Sequence, residues 1–188
     1  MIAFDTSTIL LALDPKCRPP IDPATGKPLT HCRDRVDNLI KTISNAKLRI
    51  LIPTPVLSEF LVKAGPNKAQ YVEELAKSPV FRIEPFDSRA AIELAEMTSQ
   101  GLKPGKKLTS VESKAKLKFD RQIVAIAKVN QVTAIYTDDK KLAAVAKSWG
   151  IPAVLTWELE LPKNTLQLPF EEPSSSNVDR GPDWGSFG

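Results

Sequence analysis

Five carboxylates are the residues of this chain whose type and placement could do chemistry: Asp5, Glu59, Asp120, Asp138 and Asp139. Each falls at the carboxyl end of a predicted strand or in the first turn beyond one. In a parallel sheet those tips share an edge, so acids remote in sequence would converge on one pocket. Like charges gathered without a counterion raise each other's pKa and destabilise a fold, so such a cluster implies a bound cation. Oxygen ligands without sulfur or imidazole suit a hard ion, which makes Mg2+ the expected occupant and Mn2+ its substitute. A carboxylate-held divalent ion lowers the pKa of a bound water and offsets charge on a leaving oxygen. That chemistry fits phosphodiester hydrolysis and requires no histidine.

A second feature points to a polyanion. Between Lys103 and Arg121 there are seven basic residues against two acidic ones, an excess of +5 where the whole chain carries +4. Lys114, Lys116, Lys118 and Arg121 lie nearest Asp120 and are the candidates for holding phosphates. A basic strip on an otherwise near-neutral protein is what a polyanion-binding surface looks like. Charge alone fits a solvated loop equally well. His31 is the only histidine, so Ser-His or Cys-His chemistry would hang on one loop residue. Cys17 and Cys32 with His31 make three soft ligands, short of the four of structural zinc, and the two cysteines are read as free thiols.

These side chains need elements to position them. The stretch Phe119 to Ala127 organises the reading: Phe119, Ile123, Ile126 and Ala127 recur at the spacing of a core-facing helical stripe, and Asp120 sits beside it in what reads as the first turn. There it is either an N-terminal cap or a ligand for something cationic. Met1 to Asp5 reads as a buried strand with Asp5 at its tip, followed by a helix capped by Thr6 or Ser7. Asp14 to Arg33 holds five prolines and reads as an inserted surface loop. A helix resumes from Asp34 with Val36, Leu39, Ile40 and Ile43 on one face. Leu48 to Ile52 is the second strand, and Thr54-Pro55 opens a helix in which Glu59 lies one turn in. Further on come a helix over 67–77, a strand over 80–83, and a helix capped by Asp87 with Ala91, Leu94, Ala95 and Met97 inward. The Gly101 to Lys118 segment has weak periodicity and reads as partly mobile. A strand over 133–136 with the tip Thr137-Asp138-Asp139, a helix with Leu142, Val145, Ala146 and Trp149 inward, and a strand over 152–156 complete the pattern. Strands alternating with helices mean a parallel sheet covered on both faces.

Of the 188 residues, 42% are apolar and 26% charged, an ordinary globular composition. No apolar run approaches a membrane span. Met1 to Asp5 lacks a basic region and a cleavage signature, so a cytoplasmic location is the expectation. From Pro162 onward the chain turns Pro/Ser-rich and loses its period. It reads as a disordered tail, with Trp184 and Phe187 as aromatic features of its end.

Taken in order, the Asp5-Thr6-Ser7 tip, Pro55-Val56-Leu57-Ser58-Glu59-Phe60, Phe119-Asp120-Arg121-Gln122-Ile123 and Tyr136-Thr137-Asp138-Asp139-Lys140-Lys141-Leu142 resemble a PIN domain, most closely the small VapC-type toxin nucleases. The resemblance covers about residues 1–158, with 14–33 as an inserted Pro-rich loop, and leaves 159–188 as an extended tail. It implies a three-layer α/β/α fold around a central parallel five-stranded sheet. It also implies a metal site built from Asp5, Glu59 and Asp120, with a fourth acid in a Thr-x-Asp tip falling on Asp139. Thr137 is then the hydroxyl neighbour of that acid. Asp138 takes the variable place, where it could cap the next helix. Ser7 matches the small polar residue that orients the first acid. The implied activity is a metal-dependent endoribonuclease preferring single strands and leaving a 3′-hydroxyl and a 5′-phosphate. Implied partners are RNA, a cognate antitoxin protein and a second copy of the chain in a homodimer.

Two other readings are weighed against this one. An early Asp with a late Asp-Asp pair also suggests a haloacid-dehalogenase-type phosphatase, but that chemistry wants a second Asp where Ser7 stands. A PIN-like fold kept only for binding RNA or protein would show salt-sensitive binding without turnover. The Pro-rich loop and the tail depart from a minimal toxin and leave an RNA-processing role open.

Overall fold

The computed structural model describes residues 1–101 and 111–162, without the side chains of 100–115. Five parallel strands form one sheet in the order β3-β2-β1-β4-β5. They are β1 (Ile2–Phe4), β2 (Ile50–Pro53), β3 (Phe81–Glu84), β4 (Ile135–Tyr136) and β5 (Ala153–Val154). The central strands are apolar without interruption because both faces are covered, as parallel sheets require. Ala3 faces one core with Leu51, Val56, Phe60, Met97 and Ile126. Ile2 and Phe4 face the other, with Val36, Ile43 and Leu159. The result is the expected α/β/α sandwich.

The helices are α1 (Thr6–Leu13), α2 (Cys32–Asn45), α3 (Thr54–Ala64), α4 (Lys68–Lys77), α5 (Ser88–Gly101), α6 (Val111–Val129) and α7 (Lys140–Ser148). Strand order reverses at β1, whose neighbours are β2 and β4. A crevice at such a reversal, outside the carboxyl ends of the strands, is where open α/β sheets bind ligands. Asp5 and Thr137-Asp138-Asp139 follow the two strands that flank it.

Several sequence expectations are corrected. The helix carrying Asp120 does not begin there: α6 starts at Val111, so Asp120 stands mid-helix and is not its cap. Residues 111–118 are rich in Glu, Lys, Ala and Leu, all strong helix formers. Helix propensity, not an apolar stripe, marks them in the sequence, and the loop reading of that stretch fails. The extension has a geometric use. Because α6 leads into β4, its last turn lies at the sheet's amino edge. Asp120 to Val129 rises about 13 Å, roughly the length of a four-residue strand, which returns Asp120 to the carboxyl edge. Phe119 is no core residue: it is 54% exposed, while Ile123, Val124, Ile126 and Ala127 are buried. On α5 the inward residues are Ala90 and Met97, with Ala91 and Ala95 exposed.

Residues 14–31 contain no regular element beyond one antiparallel bridge, Ile21 to Pro28. The described chain runs past residue 158: Leu159 is buried beside Cys32 and Val36, and its carbonyl accepts from the Arg35 guanidinium. Residues 163–188 of the expected tail, with Trp184 and Phe187, and residues 102–110 of the segment expected to be partly mobile lie outside the described residues. None of the described helices is long and apolar enough to cross a membrane.

Candidate active site

Asp5 is held by the turn it terminates. Its Oδ1 accepts the Ser7 N–H at 2.8 Å, the Thr8 N–H at 3.1 Å and the Ser7 hydroxyl at 2.6 Å. Asp5, one residue earlier than expected, is therefore the cap of α1, since a carboxylate both bonds the free N–H groups and suits the helix dipole. Its Oδ2 accepts the buried Thr137 hydroxyl. Asp5 is only 5% exposed. Burial raises its pKa, and the bonds from Ser7 and Thr137 only partly offset that, with the Asp138 charge adding to the rise.

Glu59 faces the same cleft from α3. Its Oε2 accepts the Thr6 hydroxyl at 2.7 Å, and its Oε1 pairs with Lys63 one turn on at 2.8 Å. Burial raises its pKa, but the Lys63 and Thr6 bonds outweigh that and hold the carboxyl below its ordinary range. Thr6 was read only as a helix cap, and nothing in the sequence signalled its bond to a residue 53 positions away.

Asp139 caps α7, accepting the Lys141 N–H at 2.7 Å and the Leu142 N–H at 3.3 Å. The role expected of Asp138 thus falls to its neighbour. Asp139 Oδ2 also pairs with Lys116 Nζ at 2.5 Å. Burial acts to raise its pKa, yet the Lys116 bond and the helix N–H groups bring it below the usual value. Asp138 turns away, its two oxygens accepting the Thr156 N–H at 2.9 Å and hydroxyl at 2.7 Å.

Asp120 is different. It is 6% exposed, and among the described residues no donor reaches its carboxylate. Burial, then the Asp139 charge, push its pKa up to about 6, with Lys116 opposing and Asp5 reinforcing.

Asp5, Thr6, Glu59, Lys116, Asp120 and Asp139 line one cleft of ≈ 380 Å³, together with Pro55, Ser58, Phe119, Ile123 and Leu142. The expected acids therefore meet, whereas Asp138 does not join them. Ser7 and Thr137 stand behind Asp5, and Ser7 also accepts the Asp138 N–H at 3.0 Å. Lys118 and Arg121 are not among the lining residues, and the Lys114 side chain lies outside those described. His31 instead pairs with Asp34 at 2.9 Å on the surface.

The donor set suits a hard cation. Among the described residues, no three acidic, histidine or cysteine side chains stand close enough to enclose one ion. The buried Asp120 carboxylate accepts from no described donor, and the charges of Lys116 and Lys141 only partly offset its burial.

Comparison with known proteins follows the same lines. A model of the PIN domain family matches residues 30–148, a span that includes Glu59, Asp120 and Asp139. Asp5 precedes it and is placed by geometry. No curated protein matches in sequence. Among solved structures, the crystal structure of the Mycobacterium tuberculosis VapC20 toxin, described as cleaving the sarcin–ricin loop, is 16% identical with a TM-score of 0.44, over 77% of this chain and 94% of that one. With the family model matching more than half of its length, the chain belongs to the PIN domain family.

Proposed function

We propose that this PIN-domain protein is a divalent-metal-dependent endoribonuclease that hydrolyses single-stranded RNA, with Mg2+ as the resident ion and Mn2+ able to replace it. One observation carries the reading: α1, α3, α6 and the β4 tip each deliver one acid, Asp5, Glu59, Asp120 and Asp139, to a single cleft that also holds Lys116. The metal, when bound, would activate a water and offset charge on the scissile phosphate. The protein's own part is positioning. Asp5 is fixed by Ser7, Thr8 and Thr137. Thr6 and Lys63 fix Glu59. Asp5, Glu59, Asp120 and Asp139 would hold the ion directly or through water, and Lys116, with Lys114, Lys118 and Arg121 along the same helix, would hold RNA phosphates.

The products are a 3′-hydroxyl and a 5′-phosphate. The chain acts in the cytoplasm as a homodimer and as the toxin of a toxin–antitoxin pair, on the likeness of its four motifs to VapC-type nucleases. The domain runs from residue 1 through Leu159, which packs in its core, with residues 14–31 as an insertion ahead of α2 and the remainder as a tail.

The test is cleavage of a labelled single-stranded oligoribonucleotide by the full chain. Chelation should stop cutting and Mg2+ or Mn2+ restore it, while Asp120→Asn abolishes cutting and still binds. Growth arrest on expression, relieved by a small adjacent reading frame, tests the toxin role. One observation favours a second reading, a module that binds RNA without cutting it: Lys116 already neutralises Asp139. Salt-sensitive binding with no turnover in any divalent metal would establish it. The phosphatase reading loses ground, because the Ser7 hydroxyl is spent on Asp5 and leaves no acid/base at that position.

A further inference from the structure

Phe119 is out of place for a folding role. It begins an apolar stripe in the sequence, yet more than half of its surface faces solvent. Among the described residues its ring pairs with no other aromatic, whereas Phe4, Phe60, Phe81, Tyr71 and Tyr136 all do. It lies on the wall of the acidic cleft, one residue before Asp120 and one turn beyond Lys116. Pro55, Ile123 and Leu142 line the same cleft, so apolar surface stands beside the acids there.

A nucleotide has the same two chemistries, an anionic phosphate and a flat apolar base face. Lys116, one turn before Phe119 on α6, lines the same cleft, and a cation beside an exposed aromatic is how single strands are bound without base pairing. We infer that Phe119 is the stacking platform for the nucleobase beside the scissile phosphate of a single-stranded RNA. A base-paired strand, whose bases are stacked on each other, cannot offer that face, so the residue would also enforce the preference for unpaired RNA. The inference rests on the nuclease reading above and adds to it the residue that grips the base.

The test titrates a fluorescein-labelled single-stranded oligoribonucleotide with full-length Asp120→Asn protein in Mg2+, so that the RNA stays intact. Phe119 is then changed to Ala, Leu or Trp in that background, and each titration is repeated with oligonucleotides carrying one abasic position at a time. Phe119→Ala should weaken binding roughly 5- to 150-fold, Phe119→Leu nearly as much, and Phe119→Trp little. One abasic position should weaken binding by a similar factor when Phe119 is present and have no further effect on Phe119→Ala. Leu binding as well as Phe, abasic effects that ignore residue 119, or a change in self-association without a change in RNA binding would each overturn the inference. Cleavage by the protein with Asp120 intact is followed in parallel. If that protein cuts RNA and Phe119→Ala cuts it equally well at limiting RNA, this inference alone falls. If it neither binds nor cuts, the nuclease reading falls first.

Discussion

Lys116 Nζ stands 2.5 Å from Asp139 Oδ2, joining the amino-terminal half of α6 to the tip of β4 across the candidate active site. The pairing raises the Lys116 pKa, and the charges of Asp120 and Glu59 raise it further. Lys116 is thus the resident counter-charge of an acidic cleft, and a divalent ion entering there competes with it for Asp139. Both partners are partly solvated, so the pair is worth about 0.2–1 kcal/mol. Lys116→Met should therefore tighten Mn2+ binding modestly, by up to about fivefold, while weakening RNA binding. Calorimetric titration with Mn2+ checks this, and looser metal binding in the variant would refute the competition.

Asp120 carries a large electrostatic strain. Its pKa stands at about 6 against an ordinary 3.8, raised first by burial and then by Asp139. A carboxyl whose folded-state pKa is raised contributes stability that is fully present below its unfolded value and lost as pH rises through the folded one. The metal-free protein should therefore lose on the order of 2–3 kcal/mol between about pH 4 and pH 7 from this residue. Asp120→Asn should melt several degrees above the unaltered protein at pH 7.5 without metal, with a smaller difference at pH 5. Thermal melts at the two pH values decide it. Equal melting at both would mean that the charge is already compensated.

The sheet was legible because both-face burial writes itself as short apolar runs, Ile2 to Phe4 and Ile50 to Ile52, separated by helical periods. Asp5 and Asp139 were legible for the same reason, each ending a strand. The start of α6 was not. Sequence periodicity reports a buried stripe, and residues 111–118 carry only a weak apolar repeat from which to read a helix. That misreading placed Asp120 in a first turn and Phe119 inside, when Asp120 is the buried residue and Phe119 the exposed one. The resemblance already set Asp139 apart from Asp138, but which of them caps α7 was hidden, since Asp138 is engaged by Thr156, which approaches only in the folded chain.

Thr137 couples two of the acids. Its hydroxyl donates to Asp5 Oδ2 and accepts the Asp139 N–H at 2.9 Å, and the side chain is buried. Thr137→Val keeps the volume and leaves both partners unsatisfied, costing about 1.5–3 kcal/mol, the range for a bond to a charged group. Asp5 loses an interaction that lowers its pKa, so ionising it for metal binding becomes harder and the cleavage profile should move to higher pH. Thr137→Ser should restore both properties. Urea denaturation with pH–rate profiles of the three proteins provides the check, and an unchanged profile in the valine variant would limit Thr137 to a packing role.

Asp138 and Asp139 differ by one position and should differ in kind. Asp138 anchors Thr156 at the turn after β5 with two bonds and does not line the cleft. Asp138→Ala should cost roughly 1–3 kcal/mol, because the Thr156 N–H and hydroxyl lose their acceptor while largely buried. Well below its melting temperature the variant should bind Mn2+ and cut RNA as the unaltered protein does. Asp139→Asn retains a side-chain oxygen to cap α7, so its stability should fall little, yet metal affinity and cleavage should both drop because the carboxylate charge is gone. Measuring stability and Mn2+ affinity on both variants separates the roles. If Asp138→Ala loses metal while Asp139→Asn keeps it, the assignment of the two acids is reversed.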